Sequence, residues 1–216
     1  MYIAGTDRCR VEVAEPLPLV VALYLREVAD LDPPRARGIP RLEPAFDSWP
    51  VWARNPPSDW DPPLVLRYAA GIDLVDRDRA SEEWDRWWSR LLLTLPTPDQ
   101  AFRPPAFRAF RSLPALRLLL QKYHDEAARW AEAVTQDPRV QGAHAAPRSG
   151  LASMISDLVG SGRAHDFRLR LTVIPVASKH AWVLRPDHVL ITRLLIADTD
   201  NVLDWLRPRV RSLAGV

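Results

Sequence analysis

Nine of the 21 prolines in this 216-residue chain fall between Pro33 and Pro63. Proline fixes φ, lacks an amide proton and disfavours helical geometry in the residue before it, so no helix or central strand runs through that stretch. The same segment carries Trp49, Trp52 and Trp60, whereas a flexible linker is rich in glycine and serine. It reads as an extended arm lying against the body with its rings in shallow grooves. The functional alternative is a lid or wall over a ligand pocket. Periodic elements must lie on either side of it.

Before the arm, polar and apolar residues alternate from Arg8 to Val13, which predicts a short strand. From Pro18 to Leu31 the apolar positions Val20, Tyr24, Val28 and Leu31 recur at helical spacing, and Pro33-Pro34 ends the pattern. After the arm, Ser81 with Glu82 and Glu83 predicts a helix start. Trp84, Trp88, Leu91 and Leu95 fall on one face, with Trp87 off that stripe. These tryptophans read as core; a stacking platform for a base or sugar is the alternative.

The most regular element is the helix predicted from Leu113 to Val134, in which Leu116, Leu120, Tyr123, Ala127, Trp130 and Val134 repeat at steps of three and four. Ser112 is its predicted cap. Such a seam serves an intramolecular neighbour or a homodimer. The polar, Gly- and Pro-containing stretch from Gln136 to Gly150 is the predicted boundary, followed by a short helix from Leu151 to Leu158.

Beyond it the period changes. Phe167, Leu169, Leu171 and Val173 alternate with Arg168, Arg170 and Thr172, a half-buried strand. Ala181 to Leu184 is a second strand, Arg185-Pro186-Asp187-His188 has the residue types of a tight turn, and Val189 to Ile196 is an apolar third strand. The short connections predict antiparallel order. A final helix carries Val202, Leu203, Leu206 and Val210, capped by Asp198 or Asp200 and kinked or divided at Pro208. The expected fold is therefore α+β: a mainly helical region over residues 1–136 with the Pro/Trp-rich arm at 33–63, and a three-stranded antiparallel meander plus helix over 151–216, forming either one domain or two.

Composition narrows the function classes. Hydrophobic residues make up 47% of the chain, enough for a packed core rather than a disordered tail. Cys9 is the only cysteine, so no internal disulfide or thiolate cluster is available. The longest apolar run near the start, Leu17 to Leu25, is too short to span a bilayer, and a cytoplasmic setting without membrane attachment is expected. The formal charge is only +2. Residues 137–216 carry 11 basic and 7 acidic residues, a mild excess of four.

The chain does not carry the recurrent catalytic patterns. Its eight glycines form no phosphate loop, and Gly160-Ser161-Gly162 leaves a helix rather than entering one. No Gly-x-Ser-x-Gly elbow and no HExxH pattern is present. Cys9 reads as a small hydrophobe. His180 and His188, at opposite ends of one strand, stand too far apart to share a metal. Neither a catalytic set, a cofactor nor a metal is assigned.

Three binding readings remain. His124 with Asp125 on the long helix is either a solvated face, with Asp125 pairing Arg129 at i,i+4, or part of an acid–base or partner contact. The arm's Trp49, Trp52 and Trp60 could roof a pocket, making an enzyme. Arg168 and Arg170 share the polar face of one strand, as a nucleic-acid surface would require, but without interleaved aromatics, which disfavours that reading. The leading expectation is a non-catalytic binding or regulatory protein acting through a protein partner, or a homodimer through the 113–134 helix.

The segment Lys122 to Trp130, with "LRLTVIPV", "LRPDHVLITR" and "DWLRPRVRSLA" between Phe167 and Leu213, resembles uncharacterised proteins of arginine- and proline-rich, high-GC (actinobacterial-type) bacteria. The resemblance covers about half the chain. It implies a bacterial cytoplasmic setting and no activity.

Overall fold

The computed structural model describes residues 2–34, 38–43, 76–94, 102–136, 138–160 and 165–216. Trp49, Trp52 and Trp60, and with them most of the arm, lie outside the described residues. The chain divides into two compact units, residues 17–135 and residues 1–16 with 136–216.

The first unit is helical. Helix α1 (Leu17–Val28) has an apolar run so continuous that Leu19 to Leu25 are all buried, the signature of a central helix rather than an amphipathic one. Helix α2 (Arg77–Thr94) starts one turn earlier than Ser81 suggests. Asp76 supplies the cap, its Oδ1 accepting from the Arg79 amide at 3.0 Å. Ser81 is buried, and its hydroxyl accepts from the Asp32 amide at 3.2 Å.

All three tryptophans of α2 are core. Trp84 donates its Nε1 proton to the Ala22 carbonyl of α1 at 2.6 Å and stacks on Trp88 at 5.1 Å. Trp87, off the main stripe, meets Phe110 edge to face. Helix α3 (Pro114–Gln136) buries the predicted seam. Its N-terminus is satisfied by α2 rather than by Ser112: the Glu83 carboxylate, 1% exposed, accepts from the Leu116 amide at 2.9 Å. Tyr24 of α1 ties to the middle of α3, its hydroxyl donating to Glu126 at 2.7 Å.

The second unit corrects two expectations. Residues 138–160 form one helix, α4 (Pro138–Gly160), which contains the predicted Leu151–Leu158 helix and extends it back through the stretch predicted as a polar connection, with Pro147 inside it. The sheet has five strands rather than three and is mixed rather than antiparallel: β1 (Tyr2–Gly5), β2 (Cys9–Ala14), β3 (Phe167–Ile174), β4 (Ala181–Arg185) and β5 (His188–Thr192), in the order β1-β2-β3-β5-β4. β2 and β3 are parallel, as are β3 and β5, while β1 and β4 run antiparallel to their neighbours at the two edges.

The reasons are topological. The two-residue turn at Pro186-Asp187 makes β4 and β5 antiparallel, as a short connection must. The longer stretch 175–180 carries the chain past the position of β5 to the outer edge, so β5 pairs with β3 in parallel. The N-terminal strand, expected with the helical region, pairs with β3 instead.

One face of the sheet is apolar and covered. Val11, Val13, Leu169, Leu171, Val189 and Ile191 pack with Leu151 and Ile155 of α4 and with Val202, Leu206 and Val210 of α6 (Thr199–Ala214). Pro208 does not divide α6. The predicted third strand stops at Thr192, whose hydroxyl accepts from the Leu195 amide and turns Arg193–Ile196 into the short helix α5. No helix among the described residues is long and apolar enough to cross a membrane.

Candidate functional site

The sequence candidates scatter. His124 is buried on α3, its ring 5.1 Å from Phe102 and 5.2 Å from Phe107. Its Nδ1 meets Asp125 Oδ1 at 3.0 Å, so Asp125 reaches back to its neighbour rather than forward to Arg129. This is a histidine packed among aromatic rings with a surface carboxylate on one nitrogen. Both residues belong to the helical unit, and the C-terminal histidines belong to the sheet unit.

Arg168 and Arg170 lie on the uncovered-by-α4 face of β3, in register with Arg10 and Glu12 of β2. Their charge is largely committed. Glu12 bridges Arg10 at 3.0 Å and Arg168 at 2.7 Å, which lowers the field a phosphate backbone would meet. Arg170 stands beside His188 across the β3–β5 ladder. His188 is buried, its Nε2 2.8 Å from Thr172 Oγ1. Burial lowers its proton affinity, and the cations of Arg170 and Arg185 lower it further against the opposing charge of Asp187.

At the ends of β2 and β5, Glu15 forms an ion pair with the buried guanidinium of Arg193. Burial pushes the Glu15 carboxyl up, and Arg193 pulls it back down less strongly. Cys9 is buried, its Sγ 3.5 Å from the His165 carbonyl. Among the described residues no group of three or more His, Cys, Asp or Glu side chains is placed to hold a metal.

One surface of the sheet unit is built differently. Among the described residues β4 is an edge strand. Ala181 pairs with Ile191, Trp182 with Leu190 and Val183 with Val189. The Thr192 amide donates to the His180 carbonyl at 3.0 Å, and hydrogen-bonded pairs alternate along an antiparallel ladder. His180 and Trp182 therefore turn their main-chain groups toward β5, whereas Ala181 and Val183 turn theirs to the open edge.

The side chains of the same two residues point to the face that α6 covers, because their partners Ile191 and Val189 lie in that core. Strand and helix together border a groove of about 600 Å³, lined by Ala181, Val183, Trp205, Pro208, Arg209 and Leu213. Val183 is 50% exposed. Arg209 lies with its Cζ 5.3 Å from the Trp205 ring centroid and donates from Nη1 to the Pro186 carbonyl at 3.3 Å.

Sequence reasoning missed this groove, although a signal was present. On α6 the buried stripe Val202, Leu206, Val210 is flanked by a second one, Trp205, Arg209, Leu213, at the same spacing of four. Trp205, on the margin of a stripe already filled, packs against the core only in part. No family model, no curated protein and no solved structure matches the chain.

Proposed function

We propose that this is a non-catalytic, protein-binding protein, and that the groove between β4 and α6 receives an extended segment of a partner protein as a sixth strand. The observation that carries the reading is that Ala181 and Val183, whose main-chain donors and acceptors turn to the open edge, line the groove with their apolar side chains. Strand addition uses both: main-chain hydrogen bonds give affinity, and pockets for alternate side chains give selectivity. The seam of α3, read as serving either an intramolecular neighbour or a homodimer, is buried, which favours the groove over that helix.

The reading is tested with Val183→Pro. The Val183 amide points away from β5, so proline there leaves the β4–β5 ladder intact and removes a donor from the open edge alone. The full chain would be used to select from displayed random 12-residue peptides, and the selected peptides assayed on the wild type and the variant. Binding lost in Val183→Pro, with circular dichroism unchanged, supports the groove. Equal binding to both proteins, or no selected peptide, overturns it.

A further inference from the structure

We infer that the segment received by this groove is acidic and that Arg209 is the residue that selects it; the inference rests on the strand-addition reading. Charge on α6 is divided along its length. Asp200 and Asp204 lie in its first half, and Arg207, Arg209 and Arg211 in its second, with no acid among them. The groove is bordered by α6 from Trp205 onward, through Trp205, Pro208, Arg209 and Leu213, and no acid among the described residues lines it. Arg185 pairs with His188 and so belongs to the other face of the sheet, and Asp187 is the one acid of the turn between them.

Within this basic end, Arg209 is set up to read a carboxylate. Its guanidinium lies against the Trp205 ring, and of its five N–H donors one is given to the Pro186 carbonyl. A planar, pre-oriented fork of this kind meets a carboxylate with two parallel hydrogen bonds, a geometry that lysine cannot reproduce.

The same charges argue against a second copy as the occupant. Pairing β4 with its own counterpart in one continuous sheet requires a twofold axis normal to the sheet, which returns the groove to its own image. Each copy would then bring Arg209 to the seam and no acid from its own groove lining, so the pairing gains no opposite charge while two cations are added, which opposes association. An acidic segment supplies what that arrangement lacks. The apolar lining and the outward amides require a polypeptide rather than a nucleic acid, whose phosphates have no use for strand edges.

The probes are the selected peptides and versions of them with each Asp or Glu replaced by Gln or Asn. Affinities would be measured by fluorescence anisotropy on the wild type, Arg209→Gln, Arg209→Lys and Val183→Pro at 50 and 300 mM NaCl. Asp or Glu should be enriched at one position of an alternating apolar pattern. Arg209→Gln should weaken the acidic peptide by about tenfold, the scale of one charge-assisted hydrogen bond, and leave its amide version unchanged. Arg209→Lys should recover only part of that loss, and added salt should weaken the acidic peptide alone.

Neutral or basic selected peptides, or an Arg209→Gln loss equal for acidic and amide versions, overturn the charge assignment. If Val183→Pro still abolishes binding in that case, the groove reading stands without it. If Val183→Pro has no effect, both fall. Sedimentation of the wild type should show a monomer; a dimer that Val183→Pro dissociates makes the second copy the occupant and overturns the assignment.

Discussion

At the β1 edge of the sheet Ala4 is buried and α4 packs alongside the strand, whereas at the β4 edge Val183 is half exposed and a groove separates strand from helix. Both edges belong to one five-stranded sheet, and an unpaired edge invites pairing with another chain. The β1 edge meets that hazard by close packing. The β4 edge meets it only by being five residues long with an irregularity between Val183 and Arg185. A sheet that buries Ala4 under α4 on one side, and on the other turns the main-chain groups of Ala181 and Val183 away from β5, has the geometry of a receptor for one short strand.

The tightest point of the closed edge gives the largest expected effect. Gly5 has φ +107°, and a Cβ placed there would stand 2.3 Å from the Cys9 carbonyl oxygen and 3.0 Å from Ile155 Cγ2. Backbone strain and a clash with main chain act together, so Gly5→Val should cost about 3 kcal/mol or more in urea unfolding. A loss under about 1 kcal/mol would mean that the β1–β2 turn is free to move, and the contrast between the edges would weaken.

Arg193 comes next, because it tests the sheet between its edges. Its guanidinium is 7% exposed and its partner is the Glu15 carboxylate. Removing one member of a buried pair leaves the other without compensation, so Arg193→Ala should cost about 3 kcal/mol, and the double variant with Glu15→Gln should cost less than the two single losses added together. Strict additivity in chemical denaturation would show that the pair is not energetically coupled.

How far this was legible in the sequence follows from where the information sits. Strand β3 could be read because one of its faces is apolar and the other carries Arg168 and Arg170. α1, α2 and α3 could be read because apolar residues at helical spacing are a local property. The strand order could not: β2 lies beside β3 across more than 150 residues of intervening chain, and nothing local in Arg8–Val13 encodes a parallel partner. Only the part of α4 before Leu151 was hidden, by Pro147 and small residues that propensity assigns to a connection; its C-terminal part, held by the sheet core through Leu151 and Ile155, was legible. The candidate site was hidden for a related reason. Val183 and Trp205 are ordinary members of a strand and a helix, and only the β3-β5-β4 order turns them into the two walls of a groove.

His188 gives a smaller effect with a defined sign. It sits on the other face of the sheet from that groove, in register with Arg170. Burial, then Arg170 and Arg185, hold its proton affinity below the ordinary value of 6.5. The folded state thus favours the neutral ring more than the unfolded state does, so this contribution to stability is complete above pH 6.5 and is lost as the pH falls below it. Glu15 acts in the opposite sense, since burial raises its carboxyl above 4.5: its contribution is present at low pH and is lost as the pH rises through the raised value. The difference between wild type and His188→Gln isolates the histidine. Between pH 7.5 and 5.5 the wild type should lose more stability than the variant, and parallel curves would remove His188 as the cause.

The smallest effect is expected at the open edge, and it is informative because the same change at the other edge is not small. Val183→Lys places a charge where the side chain is half exposed and the main chain owes nothing to β5, so its stability cost should stay within about 0.5 kcal/mol. Lysine on an exposed edge is also a common device against unwanted strand pairing, so peptide binding should fall while the fold is kept. Ala4→Lys at the β1 edge must instead force an ammonium into the core beside α4, with a loss of several kcal/mol or failure to fold. Equal losses in the two variants, measured side by side by thermal and urea unfolding, would show the β4 edge to be as closed as β1. With no open strand edge, the groove could not receive a sixth strand.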